Sequence, residues 1–142
     1  MSESRQHCNL ADKIVEWAKI KCGFSLGPFI FIHRANDVSG KVEVPQQING
    51  SIPDVFIKNT DKYEQVIGEA KTPKDLERPH TKEQLVNYLA YCNETPSAVF
   101  VLAVPWPYIA RARNLINLTA SKHGFTSAKS VVVDDLGECF VL

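Results

Sequence analysis

Residues 52–91, IPDVFIKNTDKYEQVIGEAKTPKDLERPHTKEQLVNYLAY, contain two strand-like segments followed by a helical one. Apolar runs within 52–58 and 63–70 flank the polar turn 59–62, a spacing typical of a β-hairpin. In a hairpin, the residue that opens the first strand lies beside those that close the second. We therefore expect Asp54 and Glu69 to meet at one end of a sheet. Lys71 should share the face of Glu69, because side chains alternate along a strand.

This combination of side chains is suited to metal-assisted cleavage of a phosphodiester. Mg²⁺ prefers oxygen ligands and usually takes only one or two carboxylates from a protein. Asp54 and Glu69 supply such a pair, and the backbone carbonyl of Ala70 could add a third oxygen. Lys71 could polarise the attacking water or stabilise developing negative charge. The pattern predicts a metal-dependent phosphodiesterase site.

A helix is predicted after the hairpin, over residues 81–92, with Thr81 as its N-cap. Gln84 and Tyr88 lie on one side of this helix, one turn apart. We expect Gln84 to fix the attacking water or the lysine, and Tyr88 to reach a phosphate. Alternatively, Tyr88 is a tyrosine on a packed helix face with one exposed end.

Pro53-Asp54 followed by Glu69-Ala70-Lys71 resembles the PD-(D/E)xK nuclease superfamily. Gln84-x-x-x-Tyr88 resembles the QxxxY motif of RecB-type nucleases and of type I restriction subunits. The resemblance implies an α/β (mixed α+β) restriction-endonuclease-like fold, with a central mixed β-sheet flanked by helices. It also implies Mg²⁺-dependent hydrolysis of DNA, with Mn²⁺ as a substitute ion. Asp54 and Glu69 would then be metal ligands and Lys71 the catalytic lysine, and a homodimer is compatible with the resemblance.

The same residues have other interpretations. Asp54 after a proline could serve only the turn, and Glu69 with Lys71 could be a surface ion pair. The alternative function is a catalytically inactive nucleic-acid-binding or assembly module that retains the nuclease fold. Many members of the superfamily carry another acidic ligand on the first helix, where Glu16 is the candidate. Helical spacing places Glu16 opposite the apolar stripe, so we expect it at the solvated surface.

Several basic residues follow the second strand, and they allow two interpretations. Lys74, Arg78, His80 and Lys82 form either a phosphate-contact patch or an ordinary solvated loop. His7 and His123 lie near the two ends of the chain and have no predicted role.

The rest of the chain completes a mixed α and β pattern over a single domain, residues 1–142. Residues 1–9 are expected to be a frayed lead-in, and Gly23 and Gly124 to end helices. The run 29–32 is apolar throughout, which predicts a buried strand. The remaining predicted elements are helices 10–22 and 108–123 and strands 41–44, 98–104, 130–134 and 138–142.

The bulk properties exclude several classes of protein. The formal net charge of the 142 residues is zero, so no global positive field attracts nucleic acid and any such binding must be local. The four cysteines are widely spaced without a CxxC pair, which predicts buried free thiols. The polar N-terminus has no signal-peptide core, and no apolar run approaches the roughly 18 residues that span a bilayer. We expect a cytoplasmic protein that does not enter a membrane.

Overall fold

The computed structural model describes residues 4–33 and 45–142. The predicted strand 41–44 lies outside these residues. The strands are β1 (Phe29–Ile32), β2 (Val55–Lys58), β3 (Gln65–Ala70), β4 (Ala98–Val104), β5 (Ser130–Asp134) and β6 (Cys139–Val141). The helices are α1 (Arg5–Trp17), α2 (Pro73–Leu76), α3 (Pro79–Glu94) and α4 (Ile109–His123). Helix α1 continues as a π-helical turn (Ala18–Cys22), and a 3₁₀ turn (Trp106–Tyr108) precedes α4.

The strands form one mixed sheet in the order β1-β2-β3-β4-β5-β6. Strands β1 to β3 are antiparallel, β3 to β5 are parallel, and β6 returns antiparallel to β5. The parallel connections pass through α3 and α4, which lie together on one face of the sheet. All seven residues of β4 are buried, as expected for a strand between two parallel neighbours that is covered on both faces. The predicted mixed sheet flanked by helices is confirmed.

Two apolar clusters hold the layers together, one on each face of the sheet. Helix α1 covers one face, and α3 with α4 covers the other, as alternation along the strands requires. The α1 face contains Leu10, Ala11, Ile14, Trp17, Val55, Ile57, Val66, Val99, Val101, Ala103, Val131 and Val133. The opposite face contains Phe56, Ile67, Leu85, Tyr88, Leu89, Phe100, Leu102, Ala112, Leu115, Ile116 and Val132.

Three local predictions differ from the structure. Helix α1 begins at Arg5, because the Ser4 hydroxyl caps it by accepting a hydrogen bond from the His7 amide. The predicted frayed lead-in is therefore wrong from Ser4 onward. Strand β1 is not buried throughout: Phe29 is 62% exposed, because β1 pairs only with β2 among the described residues. Helix α3 begins at Pro79 rather than after Thr81.

The predicted burial of the cysteines holds for two of the four. Cys22 and Cys92 are buried, whereas Cys8 and Cys139 are half-buried. Burial raises the pKa of Cys92 to about 12, so its thiol stays protonated at neutral pH.

Among the described residues, no helix combines the length and apolar character needed to cross a bilayer.

Candidate active site

Asp54 and Glu69 come together through the register of the β2–β3 hairpin. Val55 pairs with Gly68, so the next positions outward are Asp54 and Glu69. The backbone amide of Asp54 donates a hydrogen bond to Glu69 Oε1 at 3.2 Å. The sequence expectation that these carboxylates meet at one end of the sheet is therefore confirmed.

Asp54 is held by two hydrogen bonds to the same carboxylate oxygen. Oδ2 accepts from the Ala70 amide at 2.9 Å and lies 3.1 Å from Nε2 of His7. Burial opposes ionisation of this side chain, but the hydrogen bond and charge of His7 and the Ala70 amide outweigh it and lower the pKa of Asp54. Asp54 is therefore a carboxylate at neutral pH.

Glu69 is in a different electrostatic environment, although it lies beside Asp54. It is 3% exposed. Burial and the negative charge of Asp54 raise its pKa well above the usual value, and the nearby Lys71 ammonium only partly offsets them. Without a cation, the pair therefore resists carrying two full negative charges.

Lys71 bridges Glu69 and the helix that follows. Its Nζ lies 3.4 Å from Glu69 Oε2 and donates to Gln84 Oε1 at 2.5 Å. Gln84 extends from the second turn of α3 and is itself buried. The ammonium is thus fixed next to the carboxylates, and it is not extended into solvent.

Tyr88 lies one turn further along α3, behind Glu69. Its hydroxyl donates to Glu69 Oε1 at 3.2 Å, and its ring stacks on Phe100 at 5.5 Å between centroids. Burial and the charge of Glu69 raise the pKa of Tyr88, so the hydroxyl remains a donor. Tyr88 is fully buried and does not line the adjacent cavity. The expectations that it reaches a phosphate, or keeps one exposed end, are both wrong in this structure; it positions Glu69.

The carboxylates and Lys71 open into a cavity of about 660 Å³. This volume falls in the usual range of ligand-binding clefts. The N-terminal end of α1, the loop before β2, the ends of β2 and β3, and the turn through α2 all contribute to the walls. The lining residues are Ser4, His7, His33, Gln47, Gly50, Ser51, Ile52, Asp54, Glu69, Lys71, Thr72, Lys74, Asp75, Arg78, His80 and Gln84.

Sequence reasoning missed His7 at this site. Residues 7 and 54 are 47 positions apart, and only the docking of α1 on the sheet brings them together. The capping residue Ser4 was the available signal, since it places His7 in the first turn of a helix. Glu16 is exposed and pairs with Lys13 at 3.2 Å, away from the cavity, so its expected place at the surface is confirmed.

The possible metal ligands at this site, the Asp54 and Glu69 carboxylates, match a cation that takes few ligands from a protein. Among residues 4–33 and 45–142, no cluster of three or more His, Cys, Asp or Glu side chains is arranged to hold a metal ion. Two neighbouring carboxylates do occur, and their mutual repulsion is the feature that a divalent cation would relieve. Mg²⁺ is commonly held by one or two carboxylates with water completing its shell, so Asp54 and Glu69 fit it.

Comparisons with known proteins found a distant structural neighbour. No protein-family model matches the chain, and no curated protein sequence matches it significantly. An XisH family protein from Nostoc punctiforme, known from a crystal structure, is similar with a TM-score of 0.49 and 17% sequence identity. The similarity covers 93% of this chain and 96% of that one. A similarity this distant does not assign an activity.

Proposed function

We propose that this protein is a divalent-metal-dependent nuclease that hydrolyses DNA phosphodiester bonds. The proposal rests mainly on one observation: two carboxylates from adjacent antiparallel strands meet beside an ammonium group at the wall of a cavity. Lys71 lies 3.4 Å from Glu69, which is close enough for both to act on one group. An accidental surface pair would not require burial of the carboxylates, and both are buried.

Asp54 and Glu69 would hold Mg²⁺ or Mn²⁺, with the Ala70 carbonyl as the proposed third oxygen. When bound, such an ion supplies charge neutralisation at the phosphate and lowers the pKa of water. The hydrogen bonds from His7 and from the Ala70 amide both fall on Oδ2 of Asp54, so they fix the orientation of that carboxylate. Tyr88 does the same for Glu69.

Lys71 would orient the attacking water and stabilise negative charge that develops on the phosphate. Its hydrogen bond to Gln84 restricts the ammonium to one position. Gln84 is therefore proposed as a positioning residue for Lys71. This division leaves Asp54, Glu69 and Lys71 in contact with the reacting groups, while Gln84 and Tyr88 support them.

Cleavage of end-labelled DNA tests the proposal directly. Linear, single-stranded, nicked and junction DNAs are incubated with Mg²⁺, with Mn²⁺ or with EDTA. Lys71→Met should lower the cleavage rate by about 10²-fold or more, the range for loss of a charge-stabilising group. Lys58→Met is the matched control, because Lys58 is an exposed lysine at the opposite end of β2. Cleavage that survives in Lys71→Met, or that needs no divalent ion, would refute the proposal.

Metal binding separates the proposal from a chance arrangement of side chains. At a free Mg²⁺ concentration ten times the dissociation constant, binding stabilises the folded state by about 1.4 kcal/mol. We expect this stabilisation in thermal melts of the wild type and its loss in Asp54→Asn, which keeps an acceptor for the Ala70 amide. Metal binding and DNA binding without cleavage of any DNA would favour the inactive module instead.

A further inference from the structure

We propose that one side of the cavity binds the DNA phosphates that flank the cleaved one. The residues are Lys74, Arg78 and His80, here called the basic wall, and the inference rests on the nuclease function proposed above. All three line the same cavity as Asp54, Glu69 and Lys71. Lys82 belongs to the same basic run in the sequence but does not line the cavity. The fold thus shows which residues of this basic run face the cavity, and the sequence alone does not distinguish them.

The turn that carries the basic wall is held in place by hydrogen bonds. The Thr72 hydroxyl donates to the Asp75 carboxylate at 3.0 Å, and the Thr81 hydroxyl donates to the Asp75 carbonyl at 2.5 Å. Leu76 is buried in the core beneath the turn. Lys74 and Arg78 therefore extend from an anchored backbone, which an unstructured solvated loop would not provide.

The charges of Lys74 and Arg78 remain largely available to a ligand, whereas His80 Nδ1 lies 3.7 Å from the Glu83 carboxylate. Lys74 makes no ion pair within the described ranges of the chain. Arg78 pairs with Asp75 at 3.5 Å, but its side chain is 56% exposed, and pairs of this kind contribute little to stability. An exposed guanidinium can exchange such a partner for a phosphate, which it binds through two parallel hydrogen bonds.

The size of the cavity favours a ligand larger than a single hydrated ion. A volume of about 660 Å³ exceeds what one cation and its waters fill, and leaves space for a nucleotide segment. A chain with zero net charge lacks a general attraction for DNA, so affinity must come from such a local surface. The basic wall faces the same cavity and meets this requirement.

Binding measured without cleavage tests the inference. Fluorescence anisotropy with fluorescein-labelled single-stranded and duplex oligonucleotides is recorded in EDTA over a range of salt concentrations. Lys74→Ala and Arg78→Ala should each weaken binding several-fold at about 0.1 M salt, and should lower the slope of log K against log [salt] by about one. Lys82→Ala removes the same charge from the same segment outside the cavity, and it should leave both quantities within error.

The outcomes distinguish this inference from the nuclease proposal. If Lys74→Ala, Arg78→Ala and Lys82→Ala bind alike, the basic wall is refuted even if the wild type cleaves DNA. If the wall variants alone lose affinity while the wild type cleaves no DNA, the wall stands and the nuclease proposal fails. The replaced side chains are solvent-exposed, and unchanged thermal melts would show that lost affinity is not lost folding.

Discussion

Helix α1 approaches the sheet closely at Gly68 in β3, and replacing this glycine by alanine gives a measurable prediction. An added Cβ would lie 2.8 Å from Ile14 Cγ2, 3.0 Å from its Cδ1 and 3.2 Å from Val55 Cβ. Ile14 and Val55 are both fully buried, so neither has open space to move into. The backbone itself tolerates alanine, because the Gly68 φ lies outside the left-handed region. The cost is therefore steric.

The magnitude follows from two opposing effects. Overpacking of a buried site costs about 1–3 kcal/mol, and replacing glycine recovers about 0.4–1 kcal/mol of chain entropy. The midpoints of these ranges give a net destabilisation by Gly68→Ala of about 1.3 kcal/mol, and their extremes allow at most about 2.6 kcal/mol. An unfolding entropy of about 2.1 cal/mol/K per residue, over 142 residues, converts these values into a fall in Tm of roughly 4 °C and at most about 9 °C.

Truncating Ile14 tests the assigned contact. Ile14→Val removes Cδ1 and should recover part of the cost of Gly68→Ala, while Ile14→Ala removes both contacting carbons and should recover nearly all of it. The assay is a double-mutant cycle from denaturant unfolding in all three backgrounds. An equal cost of Gly68→Ala with Ile, Val or Ala at position 14 would refute the steric argument.

The same substitution should affect the candidate metal site through α1. His7 lies about two turns before Ile14 on that helix, and it contacts Asp54 at 3.1 Å. Displacing α1 from the sheet lengthens this contact, so Gly68→Ala should weaken Mg²⁺ binding at temperatures where the protein is fully folded. Ile116→Val is the control, because it loosens the core under α4 on the opposite face. Equal Mg²⁺ affinities for the two variants would contradict the coupling.

Three further predictions concern groups that hold the carboxylates. Tyr88→Phe removes the buried donor to Glu69 and should cost about 1.5–3 kcal/mol in chemical denaturation where Glu69 is ionised. Because the folded pKa of Glu69 is raised, the contribution of this side chain to the stability of the metal-free protein should be greatest below about pH 4, and should be lost as pH rises through the folded pKa. His7→Ala should lower the affinity for Mg²⁺ measured by calorimetry, because Asp54 loses one of its two fixed partners.

Each of these predictions has an outcome that would contradict it. Full stability of Tyr88→Phe at a pH above the folded pKa of Glu69 would mean that its hydroxyl does not support an ionised Glu69. The pH dependence should flatten in Glu69→Gln, and an unchanged profile would assign it to another group. Titration of Asp54 falls outside the pH range of that test. Its pKa is lowered, so the stability that it contributes is lost only as pH falls below about 4. Wild-type Mg²⁺ affinity in His7→Ala would remove His7 from the site.

The parts of the site that could be predicted from sequence are those fixed by local geometry. Alternation along a hairpin places Asp54 beside Glu69, and places Lys71 two residues further on the same face. Helical spacing likewise places Gln84 and Tyr88 one turn apart on α3. These relations depend on dihedral periodicity over at most a few tens of residues, so no knowledge of tertiary packing was needed.

The parts that could not be predicted depend on how the layers dock. His7 reaches Asp54 only because α1 packs across the sheet, and residues 4–9 contain no apolar periodicity that would extend the predicted helix 10–22 back to His7. The full burial of Tyr88 could not be predicted for the same reason. Its side chain is amphipathic, and its contact with Phe100 forms only when α3 packs on the sheet. Exposure of Phe29 depends on which strands flank β1, and a local apolar run does not carry that information.

The arrangement around Glu69 has an electrostatic cost that the cation proposed above would relieve. A buried carboxylate beside another is destabilising, and the Asp54 amide, the Tyr88 hydroxyl and the Lys71 ammonium compensate it only in part, since its pKa remains raised. A surface ion pair could be kept without this cost. A positive ion between the carboxylates would reverse the sign of their interaction and stabilise the fold through mass action. The raised pKa of Glu69 therefore supports the proposed cation independently of the distances between the side chains.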